Sequence, residues 1–220
     1  MNILQNISMS VQAGNTGQTE ILVTKALEKN NTAGILREGL IAGMMEIQKK
    51  FRRNEILDSE VVIAEQAMNA GLQALMLMLN KTQSSTIGTV ITGTLEGDIR
   101  EIEKNIISVM MRSLGLRVAD LGASVSCARF IEGAIEEKAH IIACTTTMTT
   151  FLPQMKSLVQ AAIQVNIRGK TKILLSGAPV TEWFCKGIEA DMYAPDMIQA
   201  AELAAEYCRK TVKKIMGSRE

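Results

Sequence analysis

The sequence predicts an α/β chain in two parts: a helical bundle over residues 1–82 and a parallel, five-stranded sheet with covering helices over 86–220. Two observations predict it. Apolar residues in the first third recur at steps of three and four. After the polar stretch Lys81-Thr82-Gln83-Ser84-Ser85, short apolar runs alternate with helical stretches. A hydrophobic content of 47% against 21% charged residues adds that both parts fold around cores.

The helical elements come first. Residues 3–12 and 19–29 read as short helices. From Thr32 to Phe51, the residues Ile35, Leu36, Leu40, Met44, Ile47 and Phe51 form one apolar face. A break at 52–57 follows, and Asp58 is placed to N-cap a long helix through Ala64, Met68, Leu75 and Leu79. Four helices with short links suggest an antiparallel bundle. In the second part, strands are expected at 87–92, 116–121, 141–145, 173–175 and near Met192-Tyr193. Helices are expected near 101–114, 127–138, 152–165, 180–187 and 196–214. Alternation of this kind implies parallel pairing through right-handed crossovers. Such sheets take ligands at the carboxyl ends of their strands, near the point where strand order reverses.

Composition excludes several functions. With 24 Lys+Arg against 23 Asp+Glu, no basic excess is present to neutralise phosphates, which argues against a nucleic-acid binder. No run approaches the roughly 18 apolar residues of a membrane span. The first residues lack the basic and apolar regions of a signal peptide, so a cytoplasmic protein is expected. Cys127, Cys144, Cys185 and Cys208 are widely spaced and read as reduced, mostly buried residues. With His140 as the single imidazole, a structural zinc site and most histidine-based catalysis are disfavoured. Fourteen Met residues fit helix cores or a surface that packs on a large flat ligand.

The strand ends hold the candidate site. After the first strand come Gly93, Thr94, Gly97, Asp98, Ile99, Arg100, Ile102 and Glu103. Asp98 reads as an N-cap with Glu101 three residues on, and Glu101 and Glu103 as cap and helix-surface charges. The segment has neither G-K-[ST] nor G-x-G-x-x-G, so it is no phosphate loop. After the third strand lie Thr145, Thr146, Thr147, Thr149 and Thr150, and after the fourth Ser176-Gly177-Ala178-Pro179. Small and hydroxyl-bearing residues at three strand ends suggest a deep crevice.

Taken together and in order, these segments resemble the corrinoid-binding subunits of methanol- and methylamine-type methyltransferase systems, and the matching module of cobalamin-dependent methionine synthase. The resemblance covers about residues 20–205. Leu40-Ile41-Ala42-Gly43-Met44-Met45-Glu46-Ile47-Gln48-Lys49-Lys50-Phe51 follows the family's L-x-x-G-M-x-x-V-G-x-x-F. Ala64 to Gly71 follows an A-x-x-A-M-x-x-G-like helix. Gly93 to Asn105 follows G-T-x-x-G-D-x-H-x-x-G-K-N. Val118 to Gly122 is similar to V-x-D-L-G, Ser176 to Val180 to G-G-A-P-V, and Glu189 to Ala194 to G-A-D-x-Y-A.

The resemblance implies a helical cap domain over a flavodoxin-like, cobalamin-binding domain. It implies corrinoid contacts from Thr94, Gly97, Asp98, Ile99, Arg100, Ile102, Glu103, Thr145, Thr147, Thr149, Ser176, Gly177, Ala178, Tyr193 and Ala194. Met44 and Gln48 are expected toward the corrin's upper side. It further implies a methyl carrier rather than a complete enzyme, serving separate methyltransferase subunits and a reductive activator. A cobalamin storage or sensing module, or a paralogue that has lost corrinoid binding, is the alternative.

The chain departs from the pattern at the cobalt ligand. The family His falls on Arg100, and the Gly three residues later on Glu103. The family S-x-L falls on Thr145 and Thr147, the first Gly of G-G is Ser176, the Gly of V-G is Gln48, and the Pro that usually opens the next cap helix is Ser59. A guanidinium has no lone pair to offer a metal. The expected cofactor state is therefore cobalamin bound base-off, without a His ligand.

Overall fold

The computed structural model describes residues 2–29, 32–82 and 86–217. They form two compact units, Met1–Thr82 and Gln83–Glu220. The polar boundary expected at 81–85 falls largely outside the described residues, at 83–85.

The first unit is helical: α1 (Ile3–Gln12), α2 (Thr16–Ala26), α3 (Thr32–Gly34), a π-helix (Ile35–Ile41), α4 (Ala42–Arg52) and α5 (Asp58–Thr82). Asn2 closes a capping box with Gln5, and Asn15 caps α2 through the Gln18 amide. Ile7, Val11, Val23, Ile35, Leu36, Leu40, Met68, Leu72 and Leu75 are fully buried or nearly so. The single helix expected from 32 to 51 instead changes its hydrogen bonding, with the Ala42 amide reaching back to the Arg37 carbonyl. Periodicity cannot see this, because a π-turn keeps apolar residues on one side as an α-turn does. Gly39 and Gly43 let this helix approach α1. A Cβ on Gly39 would meet Ile7 Cγ2 at 2.9 Å, and one on Gly43 the Ser8 carbonyl and Val11 Cβ at 2.8 Å. Asp58 is the first helical residue rather than the cap. Among the described residues, Asp58–Asn80 of α5, with a mean hydropathy of 1.3, is long and apolar enough to cross a membrane by length and composition alone. Its Ala64, Ala67, Met68, Leu72 and Leu75 are nevertheless buried in the protein.

The second unit is a five-stranded parallel sheet in the order β2-β1-β3-β4-β5. Its strands are β1 (Gly88–Gly93), β2 (Leu116–Asp120), β3 (Ile141–Thr145), β4 (Lys172–Ser176) and β5 (Met192–Ala194). Its helices are α6 (Ile102–Ser113), α7 (Cys127–Glu136), α8 (Leu152–Gln164), α9 (Glu182–Gly187) and α10 (Met197–Gly217). The sheet is the flavodoxin-like one expected, with strand order reversing between β1 and β3. Alternate residues serve opposite faces. Ile142, Cys144, Ile173 and Leu175 join Phe130, Ile131, Met155 and Leu158 in a core on the α7–α8 side. The other residues of β3, β4 and β5 face α6 and α10, which pack on that side.

The amino edge of the sheet is tied down by charge. Asp191 pairs with Arg168 at 2.9 Å and Lys172 at 3.2 Å and accepts from the Ile173 amide at 3.0 Å. His140 lies at this edge as expected. Its Nδ1 accepts from the Thr89 amide at 3.2 Å, and its carbonyl accepts from the Lys172 amide at 2.8 Å.

Candidate functional site

At the carboxyl edge, the loop after β1 is fixed by its own backbone and by the loop after β2. Thr94 Oγ1 donates to the Asp98 carbonyl and accepts from the Ser124 amide at 2.9 Å. The Gly97 amide donates to Ser124 Oγ at 2.9 Å. Gly97, Gly122 and Ser124 all take positive φ, which lets the two loops turn sharply beside each other. Sequence reasoning missed Ser124. Its signal was the Gly122-Ala123-Ser124 turn directly after a strand.

Asp98 is not the N-cap of α6. The helix begins at Ile102 with Glu101 before it, and no side chain caps it. Asp98 is buried, and its Oδ1 accepts from the Arg100 amide at 3.0 Å and from Arg100 Nε at 3.4 Å. The carboxylate thus closes a turn on its own backbone and holds the half-exposed guanidinium. Glu101 instead pairs at 3.0 Å with Lys104, whose buried ammonium also meets Asp120 at 2.5 Å.

Glu103 is corrected as well. It is no helix-surface charge, because its Oε2 accepts from Thr145 Oγ1 at 3.1 Å, joining the start of α6 to the end of β3. Burial pushes its carboxyl up from the usual range. The Thr145 hydrogen bond and Arg100 oppose that shift, and Asp98 adds to it. The signal was legible: residues 103, 106, 107 and 110 share one helical stripe, and Ile106, Ile107 and Met110 are buried.

Thr145, Ser176 and Ala194 are paired in register across β3, β4 and β5. All three are buried, and this row of small side chains faces α6 and α10. Ser176 is 1% exposed and its Oγ has no hydrogen-bond partner among the described residues. Gly177, with φ +115°, follows immediately; a Cβ there would lie 2.0 Å from the Thr146 carbonyl. An orphaned buried hydroxyl in a row of small residues fits a ligand with hydrogen-bonding groups.

Other expected residues are dispersed. Ile99, Arg100, Thr147, Thr149 and Ala178 are exposed along the carboxyl edge, and Ile102 is half-buried. Tyr193, one residue from Ala194, packs against the core on the opposite, α7–α8 face. In the helical unit Met44 is buried and Gln48 exposed. The four cysteines are free; burial pushes the Cys144 thiol far up and those of Cys185 and Cys208 to about 11. No cluster of metal-ligating side chains occurs among the described residues.

Comparison with known proteins shows the family and the fold. Residues 88–202 match the B12 binding domain, and residues 3–76 match a second B12 binding domain model. The dimethylamine corrinoid protein of Methanosarcina barkeri is 34% identical over 93% of this chain and 96% of its own length. A trimethylamine corrinoid protein of Methanosarcina mazei is 35% identical over 77% of this chain and 81% of its own. The solved monomethylamine corrinoid protein of Methanosarcina barkeri superposes with a TM-score of 0.79 at 27% identity, over 93% of this chain and 97% of that one. A sheet in the order 2-1-3-4-5, two matching domain models that together span most of the chain, and a relative 34% identical over 93% of it lead to one conclusion: this chain belongs to the B12-binding corrinoid proteins.

Proposed function

We propose that this chain holds a corrinoid at the carboxyl edge of its sheet and works as a methyl carrier without a histidine ligand to cobalt. A bound corrinoid supplies the metal that takes up and gives up a methyl group. The side chains named above bind and orient it: Asp98 and Arg100 at the loop after β1, Glu103 and Thr145 at the β1–β3 switch point, and Ser176 and Gly177 at the end of β4. The named functions of the di- and trimethylamine relatives support the carrier role. On this reading separate methyltransferase subunits catalyse the transfers, a reductive activator restores the metal, and the work is done in the cytoplasm, where four free thiols are at home.

The observation that carries the ligand-free reading is the Asp98–Arg100 pair. The aspartate holds a permanently charged guanidinium with no lone pair, and the lone imidazole is engaged at the opposite edge of the sheet. Electron spin resonance of the Co(II)-loaded protein tests it. A base-off spectrum without nitrogen splitting is expected. Nitrogen splitting that vanishes in His140→Ala would refute it by revealing a side-chain ligand. Splitting that persists there would equally refute the base-off form, because it would come from the cofactor's own benzimidazole.

A further inference from the structure

Lys104 is a charge on the buried face of α6. It shares a helical stripe with Ser108 and Met111, both buried, and its own side chain is 2% exposed. Burying an ammonium is costly, and pairing it often leaves no net gain over an apolar side chain of the same volume. The use of the charge therefore lies in where its hydrogen bonds point. Nζ meets Glu101 Oε1 at 3.0 Å, just ahead of α6, and Asp120 Oδ2 at 2.5 Å, at the end of β2. From Asp120 a chain of hydrogen bonds runs back to Arg100. Asp120 Oδ1 accepts from the Gly122 amide at 2.9 Å, and the Gly122 carbonyl accepts from the Thr94 amide at 3.1 Å. Thr94 Oγ1 and the Asp98 carbonyl both accept from the Ser124 amide, and Thr94 Oγ1 donates to that same carbonyl. The Asp98 carboxylate then holds Arg100 by its amide and its Nε. The chain closes into a ring, because Glu101 and Lys104 follow directly.

We infer that Lys104 is the positioning residue of this edge. By tying Glu101 to Asp120 it shuts the loop of residues 94–101 against that of residues 121–125, and so fixes where Asp98 presents the Arg100 guanidinium. Its bearing on the cofactor rests on the corrinoid reading above. Lys104 is buried and acts through the loop. Without its ammonium the two carboxylates would face each other as like charges and push the loop ends apart. A loop already held in one conformation also lowers the ordering cost of binding a ligand.

The test is residue-by-residue hydrogen exchange of the ligand-free full chain, paired with calorimetric titration of cobalamin. Lys104→Met keeps the length and removes the charge. Asp120→Asn keeps an acceptor for the Gly122 amide and removes the ion pair, should the methionine variant fail to fold. In each, the amides of Gly97, Arg100 and Ser124 should exchange about tenfold faster or more, while those of Ile91 and Ile142 inside the sheet stay within about twofold of the parent. Cobalamin binding should weaken by about tenfold. Faster exchange in sheet and loop alike, which a merely structural lysine would give, would overturn the positioning role, and so would no change. A loosened loop with unaltered cobalamin affinity would overturn its bearing on the cofactor. A parent chain that takes up no cobalamin would overturn the corrinoid reading, and the exchange pattern would still decide the positioning role.

Discussion

Replacing Gly177 by Ala tests how the strand ends are assembled. The residue sits at φ +115°, where an L side chain is strained. Its Cβ would lie 2.0 Å from the Thr146 carbonyl oxygen and 2.9 Å from that residue's carbon and nitrogen. These are backbone atoms, so no rotamer relieves the clash. Thr146 cannot retreat freely either, because its amide donates to the Ser176 carbonyl at 3.3 Å. Backbone strain of this kind costs about 1–3 kcal/mol, and overpacking about as much again. A total near 3 kcal/mol follows. For a unit of about 140 residues this corresponds to a fall of about 10 °C in melting temperature. Differential scanning calorimetry should show it in the transition of the sheet-bearing unit. Gly169→Ala is the control, since no atom lies within 4 Å of a Cβ there, and it should shift melting by no more than about 1 °C. A Gly177→Ala protein melting within about 2 °C of the parent would refute the reasoning.

Two further outcomes are expected. Glu103→Gln keeps an acceptor for Thr145 but removes the titration. Because burial raises the folded-state pKa of Glu103, the folded protein holds that proton over a pH window just above the ordinary carboxyl value. The parent should therefore lose stability relative to Glu103→Gln as pH rises through that window, and denaturant unfolding at pH 4 and pH 7 checks the sign. In the helical unit, Gly43→Ala places a methyl 2.8 Å from the Ser8 carbonyl and Val11 Cβ; urea titration should show a loss of about 1–3 kcal/mol.

Much of this architecture was legible in the residues. The five strands and their helices follow from apolar runs alternating with amphipathic stretches, and the site at the carboxyl edge follows from the parallel sheet they form. Local rules failed where tertiary partners outbid them. Asp98 followed by Glu101 has the spacing of a capping box, yet the helix starts later and the aspartate serves Arg100 instead. Glu103 reads as a solvated charge until its stripe with Ile106, Ile107 and Met110 is drawn. Tyr193 and Ala194 came as one motif, but adjacent residues in a strand face opposite ways, so only the alanine lines the row with Ser176. The orphaned hydroxyl of Ser176 could not be foreseen, because an unmet hydrogen bond is a property of neighbours distant in the chain.

The π-helix between Ile35 and Ile41 has a consequence for reading homologous sequences. A π-turn takes up one residue more than an α-turn, here ahead of Gly43, and Gly39 and Gly43 on either side of its end both press on α1. Removing one residue from this segment would close the wide turn to the ordinary helix and leave Gly43 facing Ser8 and Val11, whereas the same deletion in a plain α-helix would rotate everything downstream by about 100°. A one-residue gap in mid-helix, which in most alignments marks a mistake or a hidden loop, would here be a phase mark. It records whether a relative kept the wide turn or closed it to a narrow one.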